Sequence, residues 1–391
     1  MAAGSKKRRR RNPATRLTDD LIVEILSRLP VKSICRFKCV SKHWCGLISH
    51  PEHGKKLPQT LAGFFYNTIS DERFPESARH FTNVTGWGAP QIRPSLPFLP
   101  GDADIEILDS CNGLVLCRSF TAAGAVRYVV CNPATEEWAA LPESSQGGKI
   151  CNARLGFDPA VSPHFHVFEF VETDVDPGYV SIDGLEIYSS KTGEWAFRGS
   201  GWGAIWRRTS RLLISVFLNG FLHVFESYSQ NVLVVDTEGK AWRRIPLPWL
   251  NTYYGNTTFI GRSQGHLYCL NSFEDEDSEY LDFKVKVFAL EDCASDNWVL
   301  KHSVKASKLA GRRGGGPFHC PIAIHPEGNL IFFISYSDHT IRCYDMDCRK
   351  VHVIRNMECT YDWRKQCLPY VPLFSESSVA GIRKNRGQPG I

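Results

Sequence analysis

Three short stretches and the cysteines of this 391-residue chain carry the residue types that chemistry uses. GRSQG, Gly261–Gly265, fits the G-x-S-x-G pattern in which a serine hydrolase presents its nucleophile. That chemistry needs a strand-turn-helix elbow to expose the hydroxyl. Here TTFI precedes the motif and HLYCL follows it, so the context is strand-turn-strand and Ser263 is expected to be a hairpin residue. GRRGGGPF, Gly311–Phe318, is glycine-rich but lacks the Lys-Ser/Thr of a phosphate-binding loop, and is expected to be a flexible loop between blades of a sheet structure. The acidic run EDEDSE, Glu274–Glu279, reads as a solvated loop, with Ser278 an isolated candidate for phosphorylation. The 14 cysteines lie mostly in apolar segments; Cys35 with Cys39, Cys343 with Cys348 and the adjacent His319-Cys320 are the close pairs, and there is no C-x-x-C. Buried, reduced thiols are therefore expected, with no catalytic group, metal or cofactor.

Charge narrows the classes further. The chain is 43% hydrophobic and 12% aromatic, enough for a substantial core in one or two domains. Its formal charge is +5, but Lys6, Lys7, Arg8, Arg9, Arg10, Arg11 and Arg16 stand within the first 16 residues without an acid, which leaves −2 for residues 17–391. A near-neutral body argues against a nucleic-acid groove, which needs clustered cations on the folded surface. The KKRRRR tail is expected to be disordered, and reads either as a nuclear import signal or as a solubilising arm. No secretory h-region opens the chain and no apolar run reaches the roughly 18 residues that cross a membrane. A soluble protein of the nucleus, the cytoplasm or both is expected.

The elements that hold these residues repeat. An apolar strand, a polar turn and a Trp leading a second strand recur in YVVCNPATEEWAALP (Tyr128–Pro142), LEIYSSKTGEWAFRG (Leu185–Gly199), VLVVDTEGKAWRRIPLP (Val232–Pro248), VKVFALEDCASDNWVLKH (Val285–His302) and IRCYDMDCRKVHVI (Ile341–Ile354). Trp138, Trp195, Trp242 and Trp298 are 57, 47 and 56 residues apart, and Val351 or His352 replaces the Trp in the last copy. Another strand precedes most hairpins, usually opened by a Gly turn, as in SCNGLVLC, VFLNGFLHVF, SQGHLYCL and HPEGNLIFFI; the copy between Cys151 and Val171 has the variant GFDPAVSPHFHVFEF. Four strands per repeat of about 50 residues predict a β-propeller. Two stacked sandwiches would explain the strands but not the recurrent Trp. Residues 61–100 and the C-terminal LPYVPLFSESSVAG can supply a blade shared between the chain ends, so the expectation is one propeller of about six blades.

Ahead of the repeats stands a helical stretch. Leu21, Ile22, Ile25, Leu26 and Leu29 fall within an arc of about 140°, with Asp20, Glu24, Ser27 and Arg28 opposite. Thr18 can cap this helix, and Pro30 stops it. A second helix carries Val31, Ile34, Phe37 and Val40, and a third runs from Ser41 to Ile48 with Trp44. So small a unit cannot bury all of its large apolar side chains by itself. The helices either dock on the propeller as a cap or bind another protein, and pattern alone does not choose.

The stretch LTDDLIVEILSRLPVKSICRFKCVSKHWCGLISHPEHGK, Leu17–Lys55, closely resembles an F-box in the spacing of Leu17, Asp20, Ile25, Leu29-Pro30-Val31-Lys32-Ser33, Arg36, Val40-Ser41-Lys42, Trp44 and Ile48. Thr18 stands where that family usually has Pro. The later segments SCNGLVLC, VVCNPATEEWAALP, LGFDPAVSPHFHVF and LEIYSSKTGEW resemble the F-box-associated domains of plant F-box proteins, diffusely over most of residues 105–250. The paired glycines of true kelch repeats are missing, so the propeller is kelch-like at most. The resemblance implies a basic tail (1–16), an F-box (17–56), a linker with possible ring-closing strands (57–103) and a propeller (104–391). It further implies a non-catalytic substrate receptor: the F-box binds a Skp-type adaptor, the adaptor a cullin-RING scaffold, and the propeller a target protein for ubiquitination. Carried over by position, the adaptor-facing residues come from Leu17, Leu21, Ile25, Leu29, Pro30, Val31, Ile34, Arg36, Val40 and Trp44, some of which must instead form the module's own core. The alternative is an interaction scaffold that uses its F-box outside any ligase.

Target contact is expected from rim loops that combine aromatics with turn residues. GWGAIWRRTSR (Gly201–Arg211) offers Trp202, Trp206, Arg207 and Arg208, and PWLNTYYGN (Pro248–Asn256) offers Trp249, Tyr253 and Tyr254. The competing reading packs Trp202, Trp206 and Trp249 between blades.

Overall fold

The computed structural model of the protein describes residues 17–29, 33, 37, 40–50, 53, 61–69, 77–86, 92–99, 105–120, 126–145, 152–176, 179–202, 205–207, 214–226, 230–249, 259–275, 282–292, 296–310, 319–357, 360–361, 367–373 and 381–384. The basic tail, Pro30, Val31, Ile34, Arg36, Arg208, Tyr253, Tyr254, Gly311–Phe318 and Ser278 lie outside them. Two compact units make up the chain, one within Met1–Pro58 and one of Gln59–Leu373 with Ser377–Ile391.

In the second unit the sheets follow chain order. β1 (Gly63–Ile69) and β2 (Ser77–Asn83) come first. Blade 1 holds β3 (Glu106–Cys111), β4 (Leu114–Phe120), β5 (Val126–Asn132) and β6 (Glu137–Ala140). Blade 2 holds β7 (Ala153–Gly156), β8 (His166–Asp176), β9 (Tyr179–Ser189), β10 (Glu194–Gly199) and the short β11 (Ile205–Arg207), which pairs with the first residues of β9, before the stretch that pairs with β10. Blade 3 is β12 (Ser215–Leu218), β13 (Phe221–Glu226), β14 (Asn231–Asp236) and β15 (Trp242–Pro246). Blade 4 is β16 (Phe259–Ser263), β17 (His266–Glu274), β18 (Phe283–Leu290) and β19 (Trp298–Lys305). Blade 5 is β20 (His319–Ile324), β21 (Leu330–Ser335), β22 (Thr340–Asp345) and β23 (Lys350–Asn356). The chain then returns: β24 (Thr360–Tyr361) and β25 (Leu368–Tyr370) pair with β1 to make blade 6, and β26 (Arg383–Lys384) adds to the outer edge of β6. The inner strands β25, β3, β7, β12, β16 and β20 neighbour one another in turn and close a ring, so the unit is a six-bladed propeller.

Local chemistry explains the blades. Asn112-Gly113, Asn219-Gly220 and Gln264-Gly265 have φ of 47° and 92°, 52° and 82°, and 48° and 77°. Positive φ at both central residues is the two-residue turn whose twist matches a hairpin, and it joins the two innermost strands of blades 1, 3 and 4. Gly113 has a second constraint, because a Cβ there would strike Leu373.

The core sits between blades. Phe168, Phe170, Leu185 and Ile187 of blade 2 pack on Phe217, Leu222, Leu233 and Val235 of blade 3, and comparable clusters fill the other blade interfaces. The recurrent Trp serves these interfaces. Trp195 donates its indole N–H to the Pro142 carbonyl at 2.8 Å and Trp298 donates to Pro246 at 3.0 Å, each tying an outer strand to the end of the preceding blade's outer strand. Trp242 donates instead within its own hairpin, to Gly239 at 2.9 Å. In blade 5 the register assigns the Trp position to Val351, opposite Tyr344 as Trp298 is opposite Leu290; Val351 packs between blades 4 and 5.

Two histidines of blades 2 and 3 make propeller stability pH-dependent. Burial, helped by His164, holds His166 down to about 4, and burial holds His223, hydrogen-bonded to the Phe221 carbonyl at 3.2 Å, at about 4 as well. In the unfolded chain both take up protons near the usual 6.5, so as pH falls from about 6.5 to about 4 the unfolded state binds protons that the folded state refuses. Stability is expected to be full above that window and to fall within it, by up to about 1.4 kcal/mol per pH unit for each histidine. Unfolding midpoints between pH 7 and 4.5 check this; His223→Asn should flatten the dependence, and an unchanged slope would reject the assignment.

The first unit is helical. Its first helix is Asp19–Ser27 and its last Lys42–Ser49, with Ser33 and Phe37 also helical. Ser41 caps the last helix by accepting from the Trp44 N–H at 3.1 Å. Thr18 occupies the N-cap position of the first helix but makes no side-chain cap bond, contrary to the expectation from sequence; Asp19 and Asp20 in the first turn complement the helix dipole. Ile22, Leu26, Leu47 and Ile48 form a small core, with Leu29, Phe37 and Trp44 packed against it.

Candidate functional site

The structure divides the apolar arc of the first helix in two. Ile22 and Leu26, one turn apart, face the small core and are 3% and 0% exposed. Leu21 and Ile25, also one turn apart, are 51% and 44% exposed, and Leu17, just before the helix, is 38% exposed. Val40 is 60% exposed. Leu29 and Trp44 are partly buried against the core, so they serve the module's packing at least as much as any partner. Val23, on which sequence reading placed no role, is buried. The first and last helices are joined by His43 Nε2 and Asp19 Oδ1 at 2.9 Å. The result is a row of large apolar side chains held on a unit that already has its own core, the arrangement by which an amphipathic helix docks into a groove.

The expected target-binding aromatics fare differently. Trp202 is 4% exposed: it stacks on Phe170, meets Trp242 edge-on at 4.7 Å and donates its N–H to the Val234 carbonyl at 3.2 Å. Trp249 is 5% exposed, packs on Phe273 and Phe288, and donates to Gln230 Oε1 at 3.1 Å. Both fill interfaces between blades, which corrects their assignment to target contact. Trp206 and Arg207 belong to β11, paired with Val180 and Tyr179. The segment around them is thus partly an edge strand and not wholly a loop.

Ser263 ends β16 in the Gln264-Gly265 hairpin, 1% exposed, with its hydroxyl donating to the His325 carbonyl at 2.7 Å. A serine so held lacks the strand-turn-helix elbow, and its hydroxyl is spent on a backbone carbonyl. The described cysteines are all free thiols, and the described residues hold no group of three side chains arranged for a metal ion. No helix among them is long and apolar enough to cross a membrane.

Sequence reading missed a cavity on the propeller axis that holds a small polar cluster. It measures about 140 Å³ and is lined from every blade, by Asn112, Leu155, Phe217, Ile260, Ile324 and Leu368 among others. Arg262 Nη2 donates to Asn112 Oδ1 at 2.6 Å, joining blade 4 to blade 1 across the ring. Asn112 Nδ2 in turn donates to the Phe157 carbonyl at 2.6 Å, and Cys111 Sγ to the same oxygen at 3.3 Å. Burial pushes the Cys111 thiol up to about 12, which leaves it without thiolate at neutral pH. Arg262 and Asn112 are 150 residues apart, and only their places within turn motifs marked them in the sequence. A larger cleft, of about 630 Å³, opens between blades 2 and 3, where Lys191, Arg198 and Lys240 stand beside Asp158, Glu194 and Glu238.

Two family descriptions match this chain. "F-box domain" covers residues 15–56, and "F-box protein At3g26010-like, beta-propeller" covers residues 78–380. Among similar proteins of Arabidopsis thaliana, F-box protein At5g07610 is 28% identical over 75% of this chain and 71% of its own length. F-box protein At5g49610 is 25% identical over 75% and 80%, and Putative F-box/kelch-repeat protein At4g22430 is 25% identical over 86% and 78%.

Proposed function

Because the chain belongs to the family of F-box proteins with an At3g26010-like β-propeller, we propose that it is the substrate-recognition subunit of a Skp-cullin-F-box ubiquitin ligase. The observation that carries this reading is the exposed pair Leu21 and Ile25, with exposed Leu17 just before the helix, beside the apolar residues Ile22 and Leu26 that already form a core. The row is the surface for a Skp-type adaptor, which links the chain to a cullin-RING scaffold. The propeller holds the target.

The chain then contributes proximity and no bond chemistry. Holding a target beside a charged conjugating enzyme raises the effective concentration of its lysines. Target contact falls to the rim segments 201–211 and 248–256 apart from the buried Trp202 and Trp249, and to the cleft between blades 2 and 3. The protein acts in the nucleus, the cytoplasm or both.

Co-purification tests the reading. The full chain is expected to recover a Skp-type adaptor and a cullin, and a chain lacking residues 17–55 to recover neither. Recovery that survives the deletion, or its absence with the full chain, would leave a propeller scaffold that works outside a ligase.

A further inference from the structure

We infer that the axial cavity of the propeller is a carboxylate-binding site whose ligand carries an apolar body about the size of one aromatic ring. The inference does not depend on the adaptor reading; capture of an adaptor can fail while this site stands.

Size comes first. The axial cavity measures about 140 Å³, close to the roughly 150 Å³ of an apolar cavity that takes up benzene. Its wall is mostly aliphatic and aromatic, with Leu155, Val216, Phe217, Ile260 and Ile324 from four different blades. A sugar or a free phosphate would find too few polar partners on such a wall, whereas a ring-sized apolar group would exchange water for contact.

The polar groups then define the head of the ligand. Asp109 is already engaged, Oδ2 accepting from the Leu155 N–H and Oδ1 from the Ser110 N–H, both at 2.8 Å, with the Arg154 guanidinium as its nearby counter-charge. Cys111 and the Asn112 amide are engaged as described. Arg262 differs. One of its N–H donors goes to the neutral Asn112, and no carboxylate among the described residues lies within ion-pair distance of it. A guanidinium has five donors in a planar fork that matches a carboxylate, so this cation retains donors for a ligand. Asn112 fixes the guanidinium from the opposite blade, which makes the fork ready before a ligand arrives.

Such a carboxylate has two sources, a small free acid or the C-terminus of a peptide ending in an apolar residue. Titration of the full chain by calorimetry, with benzoate, its neutral isostere benzamide, and glycyl-phenylalanine with a free or an amidated end, separates them. Benzoate or the free-ended peptide is expected to bind at least tenfold tighter than its neutral counterpart. Preference confined to benzoate assigns a free acid, and preference for the free-ended peptide assigns a chain terminus. Arg262→Gln keeps an amide donor for Asn112 and removes the charge, so it should abolish the tenfold preference. The comparison of charged with neutral probes on the unaltered chain needs no variant to fold. Equal affinity within each pair, absence of binding at about 10 mM probe, or a preference that survives Arg262→Gln in a folded chain would overturn the inference.

Discussion

Replacing Leu21 and Ile25 together by aspartate is expected to abolish capture of a Skp-type adaptor and to leave the chain folded. Both side chains are about half exposed and neither belongs to the small core of Ile22, Leu26, Leu47 and Ile48, so their loss removes little folding energy. In a complex the exposed half of each side chain would be covered, contributing roughly 0.7–1.5 kcal/mol apiece. Removing both costs about 1.5–3 kcal/mol, and the two carboxylates must in addition be desolvated against an apolar groove, at about 1–3 kcal/mol or more each. At about 1.4 kcal/mol per tenfold, the dissociation constant should rise at least 100-fold. Titration with purified adaptor measures this, and thermal unfolding of the same samples shows that the fold persists. Leu26→Asp supplies the contrast: Leu26 is fully buried, so that change should lose helix content and adaptor binding together. A double variant that still binds the adaptor with near-native affinity would move the docking surface away from this row.

The difference between Leu21 and Leu26 marks what the sequence could and could not convey. A helical projection shows that five apolar residues share an arc; it does not show where within that arc the neighbouring helix ends. The core of this small unit takes Ile22 and Leu26, and their neighbours Leu21 and Ile25 are left outside, a division set by the approach of Leu47 and Ile48 from the last helix. Thr18 tells a similar story, because its residue type and position suit a cap, yet Ser41 is the one whose hydroxyl meets a backbone N–H.

The propeller was legible where its signals are local. Hairpin turns announce themselves through Asn-Gly and Gln-Gly, and the Trp repeat reports an interface that every blade must make with its neighbour. Blade 6 was harder, since two of its strands, Thr360–Tyr361 and Leu368–Tyr370, are too short to show an alternation and depend on β1 for their partners. The turn motifs that hold Arg262 and Asn112 were visible but their pairing was not, because ring closure alone brings blades 1 and 4 face to face. Aromatic residues in turn-rich segments were ambiguous for another reason: a Trp ready for a partner and a Trp wedged between blades have the same sequence context, and burial decides.

That ambiguity makes Trp202 the most informative propeller position to change. Trp202→Ala is expected to destabilise the propeller by about 3–5 kcal/mol, the usual cost of emptying a buried aromatic site. The indole is 4% exposed and fills the junction of blades 2 and 3, stacked on Phe170 and edge-on to Trp242. Its removal also strips the Val234 carbonyl of an N–H donor at 3.2 Å, so Trp202→Phe, which restores most of the volume but not the donor, should lie between. The midpoint of thermal unfolding should fall by on the order of 10 °C for Ala. Target capture measured well below that midpoint should be close to native, since the side chain acts through packing and does not reach the surface. If instead Trp202→Ala keeps its unfolding midpoint and loses its target, the indole must leave the blade junction to meet that target, and its burial here would be the resting position of a binding residue.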